Sequence, residues 1–262
     1  MPNRISKKVA KKVSSKRPNE IALLKELVAR ANRIVFHEKL ADYHGHVSAR
    51  VPGTRTFVIK PFLVPLNKIQ AKDILVLDMD EYITFLRSHR DEYRQEVKGE
   101  NIFRKGMRLP PRETVLHLAI YEARPDVFSV IHTHQPLATA FGIAGIPLLP
   151  VSLGGARYAP KTPILQNPRI IDNMEMAQEA AQALGQANAL LLRHHGVVIV
   201  GATVEEATAG AVYLERNAYL QMIATVLGNP TPMEEQFAAE WAANMNKRSP
   251  VSFAYFESLY SK

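Results

Sequence analysis

Two hydrophobic periods alternate along the chain, and together they predict a mixed α/β fold. From Pro18 and Asn19 onward, Ile21, Leu24, Leu27, Val28, Ala31, Ile34 and Val35 recur at helical spacing through His37, predicting an amphipathic helix. Asp42-Tyr43-His44-Gly45-His46 is a polar loop entering a strand that runs to Val51. Pro52-Gly53 is a turn and Phe57-Val58-Ile59 a second strand, so the pair forms a hairpin. Ile74 to Leu77 is a further short strand. The strongly charged residues 80–106 are expected to form a surface insertion. Pro110-Pro111-Arg112-Glu113 then opens a helix to about Ala123, with Leu116, Ala119 and Ile120 on its apolar side.

In the second half, the apolar run Phe128 to Ile131 marks the end of a buried strand, and Pro136 starts a helix to Phe141. Leu148 to Val151 has the composition of a strand, and residues 153–160 form a loop freed by its glycines. A helix near Met174–Leu184 precedes a strand at Ala189–Leu192, with Val197–Val200 pairing after it. Thr203-Val204-Glu205-Glu206 resembles a capping box and opens a helix to about Val226. Periodicity is weak beyond this point. The expected organisation is a basic leader at 1–18, one α/β domain at 19–228 with a central, largely antiparallel sheet, and a tail at 229–262 packing on the domain or a neighbouring subunit.

Composition narrows the classes. With 262 residues, 47% of them hydrophobic, the chain can bury a sizeable core. The absence of Cys excludes disulfides, thiolate ligands and a cysteine nucleophile, and fits a reducing, cytoplasmic setting. No apolar run approaches the roughly 18–20 residues of a membrane span, and no apolar h-region follows the basic N-terminus. The net charge of +8 suggests nucleic acid until it is located. Arg4, Lys7, Lys8, Lys11, Lys12, Lys16 and Arg17 supply seven of those charges, leaving a nearly neutral body. A solvated leader is therefore expected, rather than a nucleic-acid or membrane-surface arm.

The chemistry gathers at two strand ends. His132 and His134 lie two apart in Val130-Ile131-His132-Thr133-His134, so an extended chain points both to one side. Arg193-His194-His195-Gly196 ends the other strand. Two imidazoles and a third from a neighbouring strand end would make a catalytic metal site with an open position. Glu113 is the carboxylate chosen to complete it, although its place in a first helical turn is also explained by the helix dipole. His117 follows one turn later on the same face, as a neighbour behind the ligands. No G-x-G-x-x-G, Walker or G-x-S-x-G pattern is present.

Gly45-His46-Val47-Ser48-Ala49-Arg50, Glu113 with His117, His132-Thr133-His134 and His195-Gly196, in this order across roughly residues 20–227, resemble the class II aldolase/adducin family. The resemblance implies an α/β/α sandwich and a divalent metal (Zn, Mn, Co or Fe) on His132, His134 and His195, with Glu113 as ligand or acid/base. It also implies a homotetramer with sites between subunits. His195 is preferred to His194 because the family's ligand precedes the glycine.

The departures from the family pattern shape the functional expectation. Sugar-phosphate aldolases of this family cradle phosphate with an Asn in a G-N-x-S turn, a Ser/Thr-Gly after the second strand, and a Ser-Ser before the glutamate. This chain has His46, Phe62-Leu63 and Pro111-Arg112 at those places. Bulky Phe62 and Pro111 deny a phosphate the close approach of backbone N–H groups. Arg112 offers a planar fork suited to a carboxylate. The remaining groups suit a small, flat, anionic aromatic substrate, as in family members that decarboxylate dihydroxyphthalate or hydroxypyridine-dicarboxylate. The expected site therefore has Glu113 and Tyr158 as candidate acids and His46, Ser48, Phe62 and Arg112 as substrate contacts. Alternatives are an aldolase acting on an unphosphorylated substrate, a non-haem iron oxygenase, and an adducin-like interaction protein.

Overall fold

The structure of the chain is a computed structural model that describes residues 18–62, 64–86 and 109–260. The basic residues 1–17, Leu63, and 87–106 of the charged stretch lie outside the described residues. Seven strands form one sheet: β1 His46–Arg50, β2 Thr56–Ile59, β3 Leu75–Asp78, β4 Ser129–Thr133, β5 Ile164–Leu165, β6 Ala189–Leu192 and β7 Gly196–Gly201. Their order is β3-β2-β1-β4-β7-β6-β5, and every neighbouring pair is antiparallel except β5 with β6. The helices used below are α1 Pro18–His37, α2 Thr114–Ala123, α3 Pro136–Ala144, α4 Met174–Leu184, α5 Val204–Leu227 and α6 Glu235–Ser258.

The period-2 alternation of the strands sorts the core into two layers. Val47, Ala49, Ile131, Val197 and Ile199 face one side, where α1, α3 and α5 cover them and α6 packs on α1 and α5 from outside. Val130, Val198, Val200, Leu190 and Leu192 face the other side, against α2 and α4. The result is the α/β/α sandwich that the family resemblance implies, around the largely antiparallel sheet expected from the alternating periods. On α2, Thr114 through Tyr121 are all buried, so this helix is wedged into the molecule rather than laid on it.

Four stretches depart from the sequence reading. Leu148–Val151 forms no strand. Pro147 and Pro150 remove ladder donors, and the side chains of α5 serve instead. Asn217 accepts from Val151 N at 3.2 Å and donates to Leu149 O at 2.8 Å, while Gln221 accepts from Leu149 N at 2.8 Å. The charged stretch begins as a helix at 79–86, not as surface: Met79, Tyr82 and Phe85 are buried in the α2-side core. The two-residue strand β5 was not expected. The weakly periodic tail is the 24-residue α6, which seats Phe253 and Phe256 in the core and accepts two hydrogen bonds at Glu257 from the Arg30 fork.

Candidate metal centre

Strand β4, the β6–β7 turn and the start of α2 converge beside the sheet. His132, on β4, faces α2 and is fully buried. Its Nδ1 lies 3.0 Å from Val197 O. A carbonyl only accepts, so Nδ1 carries the proton and Nε2 presents a lone pair. His134 lies just past the strand, its Nε2 3.1 Å from His132 Nε2. In the turn between β6 and β7, His194 takes a left-handed φ of 60° and is exposed, whereas the neighbouring His195 turns inward. The rings of His132, His134 and His195 form a near-regular triangle, with centroids 4.9, 4.9 and 5.4 Å apart.

Glu113 is the N-cap residue of α2 but does not cap it. One carboxylate oxygen accepts from Ile171 N at 3.2 Å. The other lies 3.4 Å from His132 Nε2 and 3.5 Å from His195 Nε2. Four donors about 2.0–2.2 Å from one tetrahedral ion stand about 3.3–3.5 Å from one another. His132, His134 and His195 bring one ligand nitrogen each within 4.8 Å of one another, and Glu113 stands beside this set, 3.4 and 3.5 Å from two of its nitrogens. The residues therefore fit a divalent cation.

Electrostatics agrees with the geometry. Burial disfavours an ionised Glu113, but the imidazoles of His132 and His195 outweigh it and hold the carboxyl well below the usual range. Burial, reinforced by His132 and His195, pushes His134 down to about 4. A neutral imidazole and an ionised carboxylate are the forms that bind metal.

Gly196 makes the approach possible. A Cβ there would overlap Thr133 O and come within 2.7 Å of the His134 ring. At the mouth of the cluster, Asp42 and His44 form a further polar group with His134. The His44 and His134 rings stand 6.0 Å apart.

Residues 26–222 match the Class II Aldolase and Adducin N-terminal domain. The chain belongs to this family. It is 28% identical over 213 residues to a 3,4-dihydroxyphthalate decarboxylase of Arthrobacter keyseri, covering 78% of this chain and 79% of that protein. It is also 29% identical over 130 residues to the L-fuculose phosphate aldolase of Escherichia coli O6:H1, covering 48% and 59%. Among solved structures, L-fuculose 1-phosphate aldolase from Glaciozyma antarctica superposes with a TM-score of 0.73 at 23% identity, covering 95% and 94% of the two chains. That likeness concerns the fold. In class II aldolases of this kind a divalent metal serves the lyase chemistry, and the His/Glu cluster offers one a place here.

The remaining candidates are distributed unevenly. His46 is the cross-strand partner of His132, with rings 5.1 Å apart, and it too is fully buried. Ser48 lies one pleat deeper, its Oγ bonded to His117 and Tyr121 rather than open to a substrate. Phe62 is half-buried against the α2-side core. Arg112 donates to Asp172 at 3.0 Å, so part of its fork is already engaged.

Tyr158 requires a correction. It lies in the core on the opposite side of the sheet, its hydroxyl donating to Gly210 O at 2.6 Å, and burial raises that hydroxyl to about 12. An acid so placed cannot reach the histidines of its own chain.

Two residues escaped the sequence reading. Lys60, at the end of β2, is 1% exposed, and its Nζ donates to Tyr43 O at 2.9 Å and Phe62 O at 3.0 Å. It clamps the 42–45 loop to the β2 exit, and burial lowers its ammonium to about 7. Tyr121, the second, repeats the spacing of Glu113 and His117 along α2, a four-residue signal visible in the sequence.

Proposed function

We propose that this chain is a divalent-metal-dependent decarboxylase of a hydroxylated aromatic or heteroaromatic dicarboxylate of the dihydroxyphthalate kind. The observation that carries the reading is a three-imidazole, one-carboxylate cluster whose surrounding sequence has bulky Phe62 and Pro111 where sugar-phosphate aldolases keep small residues. Similarity to 3,4-dihydroxyphthalate decarboxylases at 28% and 29% identity, over 78% and 76% of the chain, supports it. The substrate must present an ortho hydroxyl and carboxylate to the cluster.

A cation held by His132, His134 and His195 would act as a Lewis acid for the negative charge that grows on the ring hydroxyl's oxygen. Glu113, ionised and buried, is placed to take the hydroxyl proton. The bond from ring carbon to carboxylate then breaks, CO2 leaves, and the electron pair stays on the ring. Glu113 returns its proton to that ring carbon, and the phenolate regains one from water. The burial of Glu113 and His132 excludes water from the carbanion until the proton arrives. In this reading, loop 42–46 and the 110–112 segment recognise the substrate, and the active enzyme is a homotetramer with sites between subunits.

The test is CO2 release from 3,4-dihydroxyphthalate and other ortho-hydroxy aromatic diacids by metal-loaded protein, with the ring product identified by NMR. Release that is lost in Glu113→Gln supports the proposal. No CO2 from any member of the panel overturns it. Aldehyde release from an unphosphorylated aldol substrate would instead favour the aldolase reading, which the similarity to L-fuculose phosphate aldolase keeps in view.

A further inference from the structure

Behind the metal centre runs a buried chain of hydrogen bonds that the proposed reaction does not use. His46 Nδ1 lies 2.7 Å from His117 Nε2. The other nitrogen of that ring, His117 Nδ1, lies 2.6 Å from Ser48 Oγ. Ser48 Oγ in turn lies 2.6 Å from the Tyr121 hydroxyl. All four side chains are buried, none more than 2% exposed. Glu113 at the N-cap of α2 and His117 and Tyr121 within it share one face, which packs on His46 and Ser48 of β1 and His132 of β4.

Hydrogen bonds of this kind have a direction, and here counting donors fixes it. The Tyr121 hydroxyl has one proton, and Ser48 Oγ is its only acceptor among the described residues. Tyr121 therefore donates to Ser48. Ser48 then has its own proton free for His117 Nδ1, which accepts. His117 must carry its hydrogen on Nε2 and donate it to His46 Nδ1. With Nδ1 accepting, a neutral His46 bears its hydrogen on Nε2. The reverse order would leave the Tyr121 proton buried with no acceptor, the costly outcome for a polar group away from water. Burial holds His117 below its ordinary range, in keeping with a neutral ring that has a single hydrogen to place.

We infer that the Tyr121–Ser48–His117 relay locks His46 as a permanent N–H donor aimed into the Glu113–His132 space, where it binds an anionic oxygen and not a cation. His46, Glu113 and His132 bring their polar atoms together closely enough to resemble a second metal group. A protonated Nε2 has no lone pair to offer a metal, so the chain holds its metal on His132, His134 and His195 alone. In the resting protein Glu113 and His132 each bring a polar atom within 4.8 Å of one on His46, and no hydrogen bond joins His46 to the Glu113 carboxylate. When substrate is bound, the receiver is a carboxylate oxygen of the substrate. Tyr121, Ser48 and His117 are positioning residues that act through His46. The identity of that receiver rests on the decarboxylase reading, whereas the tautomer does not.

The two can be separated by experiment. In 15N-histidine-labelled full-length protein, long-range 1H–15N correlation reports which nitrogen of His46 is protonated, with His46→Gln identifying its signals. The expected result is a protonated Nε2 and a bare Nδ1 in the wild type, with the bias lost in Tyr121→Phe and Ser48→Ala. A wild-type hydrogen on Nδ1 overturns the proposal. A tautomer unchanged in both variants does so equally, because the relay would then not set it. Adding 2-hydroxybenzoate to zinc-loaded protein should move the His46 Nε2–H resonance, and 2-hydroxybenzamide should not. If the resonance responds but no diacid releases CO2, the decarboxylase reading falls and the donor stands. If neither compound moves the resonance, the substrate-facing half of the proposal is overturned.

Discussion

Replacing Lys60 by methionine should change the way stability depends on pH, and the structure sets both sign and size. Burial takes the Lys60 ammonium from 10.5 down to about 7, with Asp42 pulling weakly the other way. Below pH 7 the group is protonated in native and unfolded chains alike, and the full cost of burying the charge is felt. Between pH 7 and 10.5 the native amine is neutral while the unfolded one still holds its proton. The unfolded state then binds more protons, so stability rises with pH across that window. Integrating the two titration curves from pH 7 to pH 9 gives about 2 kcal/mol for one such group.

Lys60→Met removes this dependence. It also leaves Tyr43 O and Phe62 O without their donor, a penalty of about 1–3 kcal/mol for each carbonyl that stays dry, nearly constant with pH. The variant should therefore lose ground to the wild type by about 2 kcal/mol on going from pH 7 to pH 9. Urea unfolding at pH 7, 8 and 9, with chelator present and protein concentration and ionic strength fixed, measures it. Every other titrating group is common to both proteins, so the difference isolates Lys60. If the two stability curves run parallel within about 0.5 kcal/mol, within the scatter of additive changes, the buried-amine argument is refuted.

Three further outcomes are expected. His132→Ala should weaken metal binding by more than the roughly 10–100-fold that loss of an outer partner costs, and elemental analysis of the purified variant showing wild-type metal content would remove His132 from the ligand set. Gly196→Ala places a methyl group against Thr133 O and the His134 ring; thermal unfolding should show a loss of about 1–3 kcal/mol, with weaker metal uptake in a calorimetric titration. Tyr158→Phe leaves Gly210 O without its buried donor and should cost about 1 kcal/mol of stability while kcat/KM holds; a large loss of kcat/KM would return Tyr158 to the catalytic site.

How much of this was legible before the structure depends on how local each cause is. His132, His134 and His195 sit at ends of apolar runs, and strand alternation alone carries the first two to one side. Glu113 was harder to place, since a carboxylate in a first helical turn has an ordinary explanation; only the 3.4 and 3.5 Å separations from His132 and His195 decide against it. The segment 148–151 has strand composition, but its partners are amide side chains of α5 about 70 residues away. Helix α6 buries only Ala238, Ser249, Phe253 and Phe256 and carries Pro250 in its interior, so its hydrophobic period is faint. Tyr158 stood in a loop beside two glycines, and composition could not tell which side of the sheet would receive it. Lys60 looked like any charged residue at a strand end, because its two carbonyl partners come from loops that only the fold brings together.

The pairing of His46 with His132 across β1 and β4 also limits how the chain can tolerate insertions and deletions. Side chains on a strand alternate, so one residue gained or lost within 46–50 would rotate the rest of β1 by half a turn. Val47 and Ala49 would then be pressed against Glu113 and the imidazoles, while the polar His46 and Ser48 positions would enter the apolar layer beneath α1 and α5. The hairpin loop at 51–55 carries no such parity, and its Gly53 meets nothing in the space around it. Length can change at that tip, while the five residues of β1 keep a fixed count.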